Sequence, residues 1–212
     1  MLPFVPADVI RVLEVGCGTG AFGAALKAAR PVEVIGVESS VVAAERAAQC
    51  LDDVITADIE QDPLPLPSAY FDCLVLNDVL EHLRDPWGAL QNLSAYLRPH
   101  GYAVASIPNM RHFEVMKSLL LHRDWTYTKW GVLDRTHLRF FTLRTIPTLF
   151  EQCGYRMLRL EGINGGRFPW KFGILNCLSL NALDDMRYLQ FACVAQLQPP
   201  PDASSEADRR SA

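Results

Sequence analysis

Three glycines at alternate positions, Gly16, Gly18 and Gly20, break up the segment LEVGCGTG directly after the apolar run RVLEV. Backbone bare of side chains at that spacing lets a ligand come close, and a helix starting just beyond turns its unpaired N–H groups toward it. Glu38 stands about twenty residues on, where an acidic side chain takes ribose hydroxyls. Gly16-x-Gly18-x-x-Ala21 also satisfies the dinucleotide fingerprint, so nicotinamide and adenosyl cofactors both fit this much of the pattern. Each glycine lowers local stability, which argues against a tight turn that binds nothing.

Further residues bear on the same chemistry. Glu14 sits inside an otherwise apolar strand, two residues before Gly16, where an acid is expensive unless it meets a cation or a ring of donors. Asp58, in TADIE, is placed to accept from an exocyclic amine, with Ile59 able to cover a ring. A second polar cluster, LNDVLEHL, follows the run FDCLVLN at the edge of the sheet where ligands of open α/β folds bind. There Asp78 and His82 are four apart and Glu81 is three from Asp78, so a helical turn brings all three near one face. Oxygen ligands with an imidazole suit Mg2+ or Mn2+; the other reading is polar residues opening a helix, with acids favoured by its dipole. His137, in THLRFFT, is either a base or ligand for the same centre or a hydrogen-bonded anchor held by Asp134 or a backbone carbonyl.

The elements that must hold these residues follow from periodicity. Residues 11–15, 32–38, 53–58 and 71–77 read as strands, with helices over 21–30 and 40–51 between them. A helix from Trp87 to Leu97 closes at Arg98-Pro99-His100-Gly101, and 102–107 is the next strand. Such alternation implies an α/β fold, a doubly wound and mostly parallel sheet with helices on both faces. Residues 109–142 are too polar and irregular for another unit and read as an insertion over the carboxyl ends of the strands. A helix over 143–153, a strand over 155–163, a second insertion over 164–187 and a strand over 188–197 complete one domain, residues 1–198. The polar, proline-led tail 199–212 reads as disordered.

Composition agrees with a single globular domain: 212 residues, 50% hydrophobic and 21% charged. A net charge of −4 offers no global positive field to collect nucleic acid. Six scattered cysteines without a C-x-x-C pair read as reduced thiols, and no signal peptide or spanning segment is evident, which points to a cytoplasmic protein.

With these motifs together the chain resembles the class I S-adenosylmethionine-dependent methyltransferases over roughly residues 10–197. The resemblance implies a Rossmann-like sheet of seven strands with the last antiparallel. It implies further that Glu14 and the loop Gly16, Cys17, Gly18 and Gly20 hold the methionine end of the cofactor. Glu38 and Ser39 would then take its ribose hydroxyls, Asp58 and Ile59 its adenine, and Asn77 the cofactor side of the transfer site. Relatives usually carry a covering helix before the first strand; about ten residues precede it here, so the expectation is that the cofactor stays unusually open, that another segment or subunit covers it, or that part of the ancestral N-terminus is missing and with it catalysis.

SIPNMRH followed by GVLDRTHLRFFT resembles bacterial O-methyltransferases that act in polysaccharide assembly. The acid-x-x-Glu-His run with a later histidine resembles ubiquinone-pathway and small-RNA ribose O-methyltransferases, which implies a metal held by Asp78, Glu81, His82 and His137. The expected function is O-methylation of a small or glycan-type hydroxyl, with His137 and His82 catalytic. An N- or C-methyltransferase and a non-catalytic cofactor-binding subunit are the competing readings, and a homodimer or partner subunit is compatible with any of them. His112 reads as a loop residue of the cleft. Trp125, Tyr127 and Trp130, with Arg123, Lys129 and Arg135, read as the core of a small lid or a sugar-stacking platform. Arg135 and Arg139 are candidates for a substrate phosphate, and residues 172–180 for packing on the domain or touching a membrane-linked substrate.

Overall fold

The computed structural model describes residues 1–61, 63–166 and 170–199. Seven strands form one sheet: β1 (Arg11–Val15), β2 (Glu33–Glu38), β3 (Asp53–Thr56), β4 (Phe71–Asn77), β5 (Leu97–Pro108), β6 (Tyr155–Gly165) and β7 (Tyr188–Leu197). Their order is β3-β2-β1-β4-β5-β7-β6. β7 runs antiparallel to both its neighbours, and the pairs from β3 to β5 are parallel. Helices α1 (Ala21–Ala29), α2 (Val41–Ala47), α3 (Pro86–Ser94), α4 (Phe113–Lys117), α5 (Thr145–Gln152) and α6 (Trp170–Leu178) connect them. The expected seven-stranded α/β sheet is present, last strand included.

Alternation within the central strands builds a core on each face of the sheet. Leu13, Val15, Leu74 and Leu76 point to the side covered by α3 and α5, while Val12, Cys73 and Val75 meet α1 and the first residues of the chain. A strand flanked on both faces must be apolar at every position, which is why FDCLVLN reads as a continuous run. Residues 1–9 lie in this second core: Phe4, Val5 and Val9 are buried there, and Arg30 donates to the Pro6 carbonyl.

Several boundaries differ from the sequence reading. The helix expected over Trp87–Leu97 spans Pro86–Ser94, because Asp85 caps it by accepting from the Gly88 N–H and proline is well placed in a first turn. Leu97 already pairs with Phe71 in the sheet, and Arg98–Gly101 bulge out between that pair and Cys73–Tyr102, with His100 left-handed at φ 63°. The third strand ends at Thr56, so Asp58 lies in the turn beyond it. Insertion 109–142 contains α4 and the π-helical turn Ser118–His122, while 164–187 contains α6. Of the tail expected to be disordered, residues 200–212 lie outside the described residues.

Candidate functional site

The glycine loop leaves β1 as its spacing implies. Gly16, Gly18 and Gly20 all have positive φ, and a Cβ on Gly16 would lie 2.7 Å from a Val79 methyl. The Gly16 and Cys17 N–H groups donate to the Val37 carbonyl, which ties the loop to β2. Cys17 turns its sulfur inward against Gly36, within reach of the Gly18 carbonyl, and burial pushes its thiol up to about 12. Glu38 ends β2 as a strut: one oxygen accepts from the Gly18 N–H at 2.9 Å, the other from the Ser40 N–H at 2.8 Å. Asp58 accepts from the Glu60 N–H and the Gln61 amide.

Gly16, Glu38, Ser39, Asp58 and Ile59 line one cleft of about 280 Å3. Five expected cofactor residues, from three stretches of chain, thus share a wall. Glu14 lies behind the loop, under Gly23 of α1; it is 3% exposed, its Oε2 has no protein partner, and desolvation raises its pKa to about 7 despite a bond from the Gly23 backbone. Asn77 leaves its buried Oδ1 without a partner at the end of β4, and it is the next residues, Asp78 and Val79, that line the cleft.

Asp78 lines a second cavity as well, about 290 Å3, with Glu81, Trp130, Val132, Asp134, His137 and Gln190. The two spaces therefore meet at one carboxylate. Asp78 is left-handed at φ 54°, a conformation aspartate tolerates better than most residues. Its Oδ1 accepts from the Gln190 amide at 2.5 Å, and Gln190 in turn accepts from Asn164 at 2.7 Å. Burial raises the Asp78 pKa, and bonds from Ser106 and Gln190 oppose that.

The run Leu80–His82 is a single 3-10 turn rather than the α-helical turn expected, because the left-handed Asp78 turns the chain just before it. This separates Asp78 from the group it was expected to join. Glu81, His82 and His137 alone bring one ligand atom each to within 4.8 Å of one another. The Glu81 carbonyl accepts from the Leu138 and Arg139 N–H groups, and that staple sets the returning end of the insertion over the turn. The His82 and His137 rings then meet edge to face with centroids 4.7 Å apart. Each Nδ1 faces a carbonyl, of Thr136 at 3.3 Å and of Val132 at 2.9 Å, which assigns the proton there and leaves each Nε2 with its lone pair. Glu81 is 1% exposed, neither of its oxygens has a hydrogen-bond partner among the described residues, and desolvation with the nearby Asp78 pushes its pKa up to about 8. Burial and the neighbouring His137 lower the pKa of His82.

The remaining candidates divide. His112 caps α4 and lines neither cavity. Arg139 donates to the Arg84 carbonyl and lies over Trp87, so it is engaged in structure, while Arg135 is exposed. Trp130 reaches the second cavity; Trp125 packs edge-on against Phe140. Gln190 and Asn164 were not foreseen, since a glutamine on a late strand carries no motif, while the Val132 carbonyl is the kind of backbone anchor that one reading of His137 expected.

A family model described as a methyltransferase domain matches residues 2–160. Among curated proteins, 107 residues are 33% identical to the 27-O-demethylrifamycin SV methyltransferase of Amycolatopsis mediterranei (strain S699), covering 48% of this chain and 39% of that protein. The chain thus spans well under half of that relative's length. A ubiquinone biosynthesis O-methyltransferase of Coxiella burnetii is 26% identical over 185 residues, 81% of this chain and 74% of that one. A solved SAM-dependent methyltransferase from Archaeoglobus fulgidus shares the fold with a TM-score of 0.66 at 19% identity, covering 92% of this chain and 89% of its own.

Proposed function

The chain belongs to the methyltransferase-domain family, and on that premise we propose that it transfers a methyl group from S-adenosylmethionine to a hydroxyl oxygen of a small or glycan-type acceptor. The observation that carries this reading is the meeting of two cavities at Asp78, one walled by acids suited to a nucleoside and by His82, the other by the buried Glu81 carboxylate and the His137 imidazole. The rifamycin and ubiquinone relatives, both named as acting on oxygen, favour oxygen as the acceptor atom.

The residues present fit the cofactor. Glu38 and Ser39 would take the ribose hydroxyls, Asp58 the adenine amine with Ile59 against the ring, and the backbone from Gly16 to Gly20 the methionine end. The orphaned acceptors on Glu14 and Asn77 suit an ammonium, since a buried oxygen without a donor is costly. Methyl transfer is an in-line displacement, so the chain contributes chiefly alignment and a destination for the hydroxyl proton. His137 Nε2 is that destination, its ring oriented by the Val132 carbonyl.

Glu81, His82 and His137 also fit a divalent cation. The donor set, two imidazoles and one carboxylate, is richer in nitrogen than the Asp78-containing set expected from sequence, and Glu81 has both oxygens free for it. A bound ion would supply Lewis-acid polarisation of the acceptor hydroxyl. Each imidazole already directs its Nδ1 at a carbonyl, the outer support that metal-ligating histidines need.

Methyl transfer from labelled cofactor to a panel of phenols, catechols and sugars tests the reading. Labelled product with hydroxyl acceptors and none with amines is expected. Activity unchanged in His137→Ala would remove both the base and the ligand role, and indifference to EDTA together with His82→Ala would remove the metal alone.

A further inference from the structure

α6 carries an apolar stripe on its outside. Trp170, Ile174 and Leu178, four apart and so on one face, are all exposed, Leu178 by 77%, while among the described side chains of the helix the buried one is polar. That side chain, Asn176, accepts from the Leu183 N–H at 3.0 Å and meets the Asn181 side chain at 3.4 Å. The amide thus ties the helix to the segment that follows it, and the apolar stripe stays outside. Leu180, just past its end, is 91% exposed. α4 leads into the same feature: Phe113 meets Phe172 edge to face with centroids 4.5 Å apart, and the turn continuing α4 exposes Leu120 and Leu121, the latter by 74%. Scattered exposed leucines are ordinary, but an outward-facing stripe joined to a leucine-tipped turn is a surface that gains from leaving water.

Charge says what covers it. Arg123, Lys129 and Arg135 of the first insertion are exposed and form no ion pair among the described residues, in a chain of net charge −4. His122 and Arg123 follow the exposed leucines directly. A second copy of the chain would place this basic patch against itself, as a two-fold interface must. An anionic bilayer instead accepts aliphatic tips below its headgroups and attracts the cations beside them.

We propose that the outer side of the Ser118–His122 turn and α6 docks on an anionic membrane surface. Both insertions leave the carboxyl edge of the sheet, where Pro108 and Gln190 pair, and Gln190 lines the second cavity. Docking there sets that cavity beside the bilayer, which extends the acceptor class to hydroxyl compounds carried on a lipid; this last step alone rests on the function proposed above.

Cosedimentation of the full chain tests it, with vesicles of phosphatidylglycerol and phosphatidylcholine against vesicles of phosphatidylcholine alone. Binding to the anionic vesicles is expected, weakened by salt, and lowered about tenfold or more in L120D/L178D, since each leucine withdrawn from water contributes on that order. The exposed positions leave the fold alone, and S-adenosylhomocysteine binding by calorimetry should be the same in both proteins. No sedimentation at low salt, equal sedimentation of the variant, or a dimer that L178D dissociates would overturn the proposal. Failure of S-adenosylhomocysteine to bind either protein would instead sink the methyltransferase reading and leave the docking result standing.

Discussion

Glu14 shows how a single side chain can carry a cost that the fold retains. Its pKa is raised from 4.5 to about 7 by burial, so the folded chain holds its proton where the unfolded chain has released it. Stability from this group is complete below pH 4.5, falls as pH rises toward 7, and levels beyond. Glu14→Gln should flatten that decline and stabilise the unliganded protein by about 1–3 kcal/mol at pH 8, read from melts across the range. Glu38→Ala should act differently, weakening S-adenosylhomocysteine by about 1.5–3 kcal/mol in calorimetry, the range for hydrogen bonds to a charged group. It should also cost about 1 kcal/mol of stability, because the Gly18 and Ser40 N–H groups lose their acceptor. Glu38, Asp58, Glu81, His82 and His137 are legible in the sequence because each follows a strand or sits in a motif. Gln190 is not: it reaches Asp78 across 112 positions, a pairing made by the register of antiparallel strands.

Elements show the opposite side of the same economy. Glycine to alanine within a helix usually gains up to about 1 kcal/mol. At Gly23 of α1 the added Cβ would lie 2.5 Å from the Glu14 carboxylate and 2.6 Å from Leu51, so Gly23→Ala should cost about 1–3 kcal/mol in chemical denaturation. The insertion 109–142 divides by the same logic. Its returning end is fixed, with His137 and Phe141 buried and the Met110 N–H donating to the Phe141 carbonyl, while residues 119–131 are mostly exposed. Hydrogen exchange should therefore be slow over 137–141 with or without ligand and fast over 119–131 until cofactor and acceptor are both added. The strands were readable because a doubly covered sheet demands unbroken apolar runs. The bulge at Arg98–Gly101 and the 3-10 turn at Leu80–His82 were not, since each depends on one left-handed residue whose type does not announce it.

For the molecule as a whole, the cofactor cleft draws on both halves of the parallel sheet, so a ligand there should stabilise the chain as one unit. S-adenosylhomocysteine at a hundredfold excess over its dissociation constant should add about 2.7 kcal/mol, seen as a raised melting temperature, and NADH should add nothing. The hydrogen-bond chain from Asn164 through Gln190 to Asp78 spans the sheet in the other direction, from its last strands to the point where the cavities join. Asn164 precedes Gly165, a glycine that leaves the asparagine amide open to attack by the next backbone nitrogen and hence to deamidation. Conversion to aspartate would replace the donor with a second acceptor, and the Gln190 amide would turn its NH2 toward it and away from Asp78. The protein thus carries a clock: stored material should lose transfer activity in step with deamidation at Asn164, followed by mass spectrometry, before its melting temperature moves.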